Sequence, residues 1–212
     1  IISSMIKLFF TVSLALVFSL PALSQSASHA KVVEYSQQNS REIINSFAKF
    51  LALPNVAANP AALAKNADFI MEMMNKMAIS KVQLLMPATA GAAPAVYGEV
   101  LVPGATKTLI FYAHYDGQPV NRAQWAKELD PFLPKLFTNK IGADSQPVDL
   151  PLQQAYDGEW RIYARGASDD KAGVMAILTA YEALQKNGIK PGVNLKFFFE
   201  GEEEAGSPHL TE

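Results

Sequence analysis

Residues 109–116 read LIFYAHYD. Five apolar or aromatic residues run without alternation and end on His114, Tyr115 and Asp116. Successive side chains of a strand point to opposite faces, so a half-buried strand alternates apolar with polar residues. An unbroken run predicts a strand buried on both faces, as in a sheet covered by helices. A second run of this kind lies near the other end of the chain, where VNLKFFFE (residues 193–200) passes into GEEEAGSPHL (residues 201–210). Four glutamates fall within residues 200–204. Adjacent carboxylates raise one another's pKa values, so crowding them behind a buried strand calls for water or a cation to offset the charge.

Working outward, ARGASDDKAG (residues 164–173) opens the clearest helix. Ser168 or Asp169 is its expected cap, the apolar period runs over Ala172–Leu184, and Asn187-Gly188 closes it. Pro191-Gly192 then turns the chain into a strand over Val193–Phe199. Upstream, Ile43, Ile44, Phe47, Phe50 and Leu51 recur at helical spacing between Glu34 and Leu53, and Pro54 stops them. Asn59-Pro60 caps and starts a second helix, with Leu63, Ala67, Ile70, Met71, Met74 and Met77 on its apolar side. Methionines at this spacing fill a core rather than bind a ligand.

Strands are expected over Lys81–Met86, Ala95–Val102, Thr108–Ala113 and Arg161–Ala164. Pro103-Gly104 predicts a hairpin between the second and third. Residues 117–158 read as a long loop with a short helix near Gln124–Leu129, and Ser207-Pro208 starts a further helix. The order of strands and helices predicts an α/β fold, a three-layer sandwich with a largely parallel central sheet.

Composition narrows the chemistry. Half of the 212 residues are apolar and 18% are charged, enough for a folded core. The formal net charge of −2 comes with no basic block, so nucleic acid is not an expected partner. There are no cysteines, which excludes disulfides, thiolate metal sites and a cysteine nucleophile. Any metal must be held by His, Asp and Glu.

The first residues read as an export signal. Met5-Ile6-Lys7 is a short basic start, LFFTVSLALVFSL (residues 8–20) is apolar, and Pro21 breaks the run before small residues. The run is short for a bilayer span. Residues 1–24 are therefore expected to be upstream sequence plus a signal peptide cleaved after Ser24, with Ala27 or Ala30 as alternative sites. Residues 25–212 are then exported, periplasmic or secreted, without stable membrane association.

Three polar clusters remain: HYD at 114–116, SDD at 168–170 and EGEEE at 200–204. Residues two apart on an extended strand share a side, so Asp116 can face His114, and a metal-bound His commonly gives its second ring N–H to a carboxylate. Taken singly, the first cluster also reads as a hydrogen-bonded His, the second as a helix cap favoured by the helix dipole, and the third as a solvated turn. Ligands of open α/β sheets gather outside the carboxyl ends of the strands. If the three clusters meet there, one imidazole and several carboxylates converge. Such a donor set suits a zinc-type hydrolase, most naturally one with two metals.

HYDGQP, ARGASDDK and EGEEEAGSPHL, in this order, resemble the dinuclear zinc peptidase/deacylase family, which includes glutamate carboxypeptidase, carnosinase-like dipeptidases, acetylornithine deacetylase and aminoacylase. The wording is most similar to the carnosinase-like branch, and the resemblance covers roughly residues 34–212. It implies two zinc ions, other divalent metals being alternatives. His114 would bind one, Asp169 would bridge both and Glu204 would bind the second. Asp116 would orient His114, and Glu203 would be the general base. It also implies a cis Asp169–Asp170 peptide. Glu202 and Asp170 have no ligand role in this scheme, and Lys171 has no task readable from sequence.

The expected activity is hydrolysis of dipeptides or short peptides, with an N-acyl amino-acid deacylase or a truncated non-catalytic binding module as alternatives. The family's remaining acidic and His ligands, and its lid domain, often used for homodimerisation, are expected beyond Glu212. His209 is not expected to be the missing ligand. The chain alone is therefore expected to be inactive.

Overall fold

The computed structural model describes residues 27–142 and 144–212. The expected signal peptide and the cleavage position after Ser24 lie outside the described residues. In chain order the elements are α1 (residues 27–38), α2 (Ser40–Leu51), α3 (Pro60–Lys76), β1 (Ser80–Leu85), β2 (Ala95–Val100), β3 (Thr108–His114), β4 (Lys135–Phe137), β5 (Pro147–Val148), β6 (Arg161–Tyr163), α4 (Lys171–Lys186) and β7 (Asn194–Glu200). Among the described residues, no helix is long and apolar enough to cross a membrane.

Local chemistry places the helix boundaries. The helix expected from Glu34 breaks at Asn39, whose side-chain amide donates to the Tyr35 carbonyl at 2.8 Å, the local back-bonding by which Asn competes with helix continuation. Asn59 accepts from the Ala62 amide at 3.2 Å, and Pro60 opens α3 as expected. The cap of α4 is Asp170 rather than Ser168 or Asp169, because Asp170 immediately precedes the first helical residue and accepts from the Gly173 amide at 3.1 Å. Asp169 thereby stays free of capping.

The α/β class is as expected, but the central sheet is mixed rather than largely parallel. Its order is β1-β2-β7-β3. Only β3 and β7 run parallel, while β1–β2 and β2–β7 are antiparallel. The expected β2–β3 hairpin does not form. Its turn does close, with the Ala105 amide donating to the Val102 carbonyl at 3.0 Å, yet β7 inserts between the two strands. Leu195, Phe197 and Phe199 on one face of β7 are the reason. They are buried against Val96 of β2, Ala113 of β3 and the helices, and the central position lets both neighbouring strands cover them.

The described helices pack on this one face, with Tyr181 of α4 meeting Phe197 edge-on at 5.5 Å. Of the three layers expected, the described residues form two. LIFYA is accordingly not buried on both sides: Ile110 and Tyr112 are 62% and 49% exposed. The stretch at 117–158 contains a small sheet, β5-β4-β6, rather than only loop. A single 3-10 turn over Arg122–Gln124 replaces the helix expected near Gln124–Leu129. Strands of two or three residues are too short to show a period. Ser207-Pro208 starts turns, not a helix, after a 3-10 turn at Glu203–Ala205 that ends on left-handed Gly206.

Candidate metal and catalytic site

The parallel pairing of β3 with β7 sets Ala113 beside Phe199 and His114 beside Glu200, so the HYD and EGEEE clusters leave the sheet at the same level. The ladder continues one step, with the Tyr115 amide donating to the Glu200 carbonyl at 2.8 Å. Tyr115 is fully buried, and its hydroxyl donates to the Pro94 carbonyl. Its ring fills the space over Gly201, where an added Cβ would lie 2.5 Å from the hydroxyl oxygen. The glycine inside EGEEE is thus required by close approach. The third cluster arrives differently. β6 belongs to the small sheet, and α4, packed beside β3, brings Asp169 and Asp170 in.

Asp116 is the hub of the side-chain geometry. It is wholly buried. Its Oδ1 lies 3.3 Å from His114 Nδ1 and accepts from the Glu203 amide at 3.2 Å. Its Oδ2 accepts from the Glu204 amide at 3.0 Å. Nδ1 lacks the alignment of a full hydrogen bond despite this proximity. On the other side of the ring, Nε2 lies 3.0 Å from Asp169 Oδ1 and 3.6 Å from Glu203 Oε2. Burial lowers the pKa of His114, but the adjacent carboxylate of Asp116, with the charges of Glu203 and Asp170, outweighs it. The net result is a rise from 6.5 to about 9.

The three glutamates part company. Glu203 turns to His114. Glu204 accepts from the Gln118 side-chain amide. Glu202 turns away, accepting from the Ala93 amide at 3.0 Å and lying 2.8 Å from His209 Nδ1. His209 is therefore engaged by Glu202. Asp170 caps α4 and accepts from the His114 amide at 3.4 Å, which ties the helix start to the end of β3. The Asp169–Asp170 peptide is cis. Lys171 is fully buried.

The structure thus brings together His114, Asp116, Asp169 and Glu203, and it leaves Glu204 on Gln118. Among the described residues, no group of three or more His, Asp or Glu side chains is gathered closely enough to hold a metal ion. The donor chemistry nevertheless fits a divalent cation. An imidazole nitrogen faces two carboxylates at one point, the imidazole is buried, and the side chains of Asp169 and Glu203 are 73% and 45% exposed. Sequence reasoning missed Gln118, Asn55 and the holding role of Glu202. Gln118 lies inside the quoted HYDGQP, but nothing local marks the other two.

Fold and site together place one imidazole and two carboxylates at the ends of the parallel strands and the start of α4. Residues 110–212 match the family described as Peptidase family M20/M25/M40. The Cys-Gly metallodipeptidase DUG1 of Candida albicans is 29% identical over 185 residues, 81% of this chain and 34% of the relative. The Beta-Ala-His dipeptidase of Homo sapiens is 25% identical over 194 residues, 86% of this chain and 34% of the relative. An M20 family metallo-carboxypeptidase from Sulfolobus solfataricus superposes with a TM-score of 0.60 at 33% identity, over 80% of this chain and 32% of that one. Human carnosine dipeptidase 1 shares the fold, with a TM-score of 0.65 at 24% identity over 85% of this chain and 36% of that one. The chain spans about a third of the length of the curated relatives it matches.

Proposed function

We propose that the protein is an exported, zinc-dependent dipeptidase that hydrolyses the amide bond of dipeptides or short peptides. The observation that carries this reading is the double engagement of Asp116, which faces Nδ1 of His114 and accepts the amides of both Glu203 and Glu204. One buried carboxylate thereby orients a candidate ligand and a candidate base together. The names of the Cys-Gly and Beta-Ala-His dipeptidase relatives support the substrate class.

His114, Asp169 and Glu204 would hold two zinc ions, with Asp169 shared and Glu204 released from Gln118. Bound zinc supplies Lewis acidity, which brings the pKa of water toward neutrality and polarises a carbonyl. The chain's own residues do the rest. Asp116 faces the imidazole at Nδ1 and leaves Nε2 to the carboxylates of Asp169 and Glu203. Glu203, half exposed beside Nε2, accepts a proton from the attacking water and passes it to the leaving amine.

The test is an assay of the full-length protein, zinc-loaded and chelator-stripped, on dipeptides and on N-acyl amino acids. Zinc-dependent cleavage of dipeptides is expected. Cleavage of N-acyl amino acids alone would replace the dipeptidase with a deacylase, and inactivity on both would refute the reading. Export rests on the residues 5–24 pattern, and the expected mature N-terminus, read from exported protein, is Gln25.

A further inference from the structure

The two halves of the site, His114–Asp116 and Asp169–Asp170, lie more than fifty positions apart in the chain. One segment, residues 50–57, touches both. On the first side, Asn55 is fully buried and its side-chain amide donates to the Tyr115 carbonyl at 2.9 Å. Val56 forms a bridge with Gly117, whose carbonyl accepts from the Ala57 amide at 3.1 Å. On the second side, Lys171 Nζ donates to the carbonyls of Phe50 at 2.8 Å and Leu53 at 2.7 Å, and lies 4.7 Å from the centre of the Phe50 ring.

Lys171 forms no ion pair with a carboxylate among the described residues. A buried ammonium without a counter-charge is an expensive way to start a helix unless its hydrogen bonds are supplied. Carbonyls at and just beyond the end of α2 supply them. The Phe50 carbonyl accepts one bond, from the Leu53 amide at 3.2 Å, which leaves a lone pair for Lys171 at the negative end of the helix dipole. Pro54, lacking an N–H, cannot bond to the Phe50 carbonyl four positions back. The lysine stem has its own channel: an added Cβ on Gly166, at φ +80°, would lie 3.1 Å from Lys171 Cγ and Cδ.

We infer that Lys171 and Asn55 are positioning residues, which act through residues 50–57 to set the separation of Asp169 from His114. Lys171 holds the start of α4, and with it Asp169, to the end of α2. Asn55 holds the same segment to the strand end that carries His114. This rests on the dipeptidase reading only for its activity readout.

The test uses K171M and N55A in the full-length protein, well below the unfolding midpoint of each. The expected result is a kcat lowered about tenfold or more with KM within about threefold. Zinc affinity, measured by chelator competition, should fall about 10–100-fold, as partners that orient metal ligands typically contribute. A purely structural role would lower Tm and leave kcat, KM and zinc affinity unchanged per folded molecule, and that outcome overturns the inference. If K171M does not fold, N55A decides. If the wild type neither cleaves peptides nor holds zinc, the dipeptidase reading fails, and the inference is judged on crystal structures. An altered His114–Asp169 separation in the folded variant sustains it, and an unchanged 3.0 Å contact overturns it.

Discussion

Replacing Asp116 by Asn separates charge from shape at the centre of the site. The carboxylate offers two acceptor oxygens, and both are used: Oδ1 by the Glu203 amide at 3.2 Å and Oδ2 by the Glu204 amide at 3.0 Å. Asparagine keeps one acceptor and places an NH2 against the other amide, so one part-buried donor loses its partner at about 1 kcal/mol. The exchange also removes the charge beside His114, whose rise from 6.5 to about 9 owes most of its upward contribution to Asp116. A rise of that size is worth about 3 kcal/mol of folded-state preference for the imidazolium. The sign follows from linkage. A raised folded pKa contributes stability that is fully present below about 6.5 and lost as pH climbs through about 9. Asp116→Asn should therefore destabilise the metal-free full-length protein by about 3–5 kcal/mol at pH 6. It should cost distinctly less at pH 10, where the wild-type imidazole is neutral as well. Urea unfolding of both proteins at the two pH values measures this. A loss independent of pH, or below about 0.5 kcal/mol at pH 6, would refute the reasoning.

Three further outcomes are expected. Glu203→Gln should lower kcat about 10²–10⁴-fold with zinc content, read by elemental analysis, unchanged; retained turnover removes Glu203 as the base. Gly201→Ala should destabilise by about 1–3 kcal/mol, since its methyl would meet the Tyr115 hydroxyl at 2.5 Å; a wild-type midpoint in thermal unfolding would show that the tyrosine gives way freely. Glu202→Ala should speed amide hydrogen exchange at Ala93, whose donor loses its 3.0 Å acceptor, and unchanged exchange there would mean that Glu202 does not hold that loop.

Much of the local structure was legible from short-range rules. The cap and proline at the start of α3, the span of α4 and the strand character of VNLKFFFE each follow from neighbours a few positions apart. The three motifs and the pairing of His114 with Asp116 were legible too, because residues two apart on a strand share a side. The small sheet was not, since its strands are shorter than a period. The β2–β3 hairpin was misread because a turn signal reports that the chain bends, not which strand it then pairs with.

By itself the sequence determined residue chemistry and local geometry: a histidine and carboxylates at strand ends, no thiols, apolar strands and one well-marked helix. Only the tertiary structure decided which chemically alike group does what. Glu202, Glu203 and Glu204 are equivalent on paper, and they are told apart by the Ala93 amide, His209, His114 and Gln118. Asp169 and Asp170 are told apart by their partners, His114 Nε2 for the first and the Gly173 and His114 amides for the second, and Lys171 acquires its task from carbonyls near the end of α2. The physical reason is reach. Propensity and periodicity act over a few residues, whereas a buried polar group takes whatever partner the packing of a mixed sheet brings within hydrogen-bond distance.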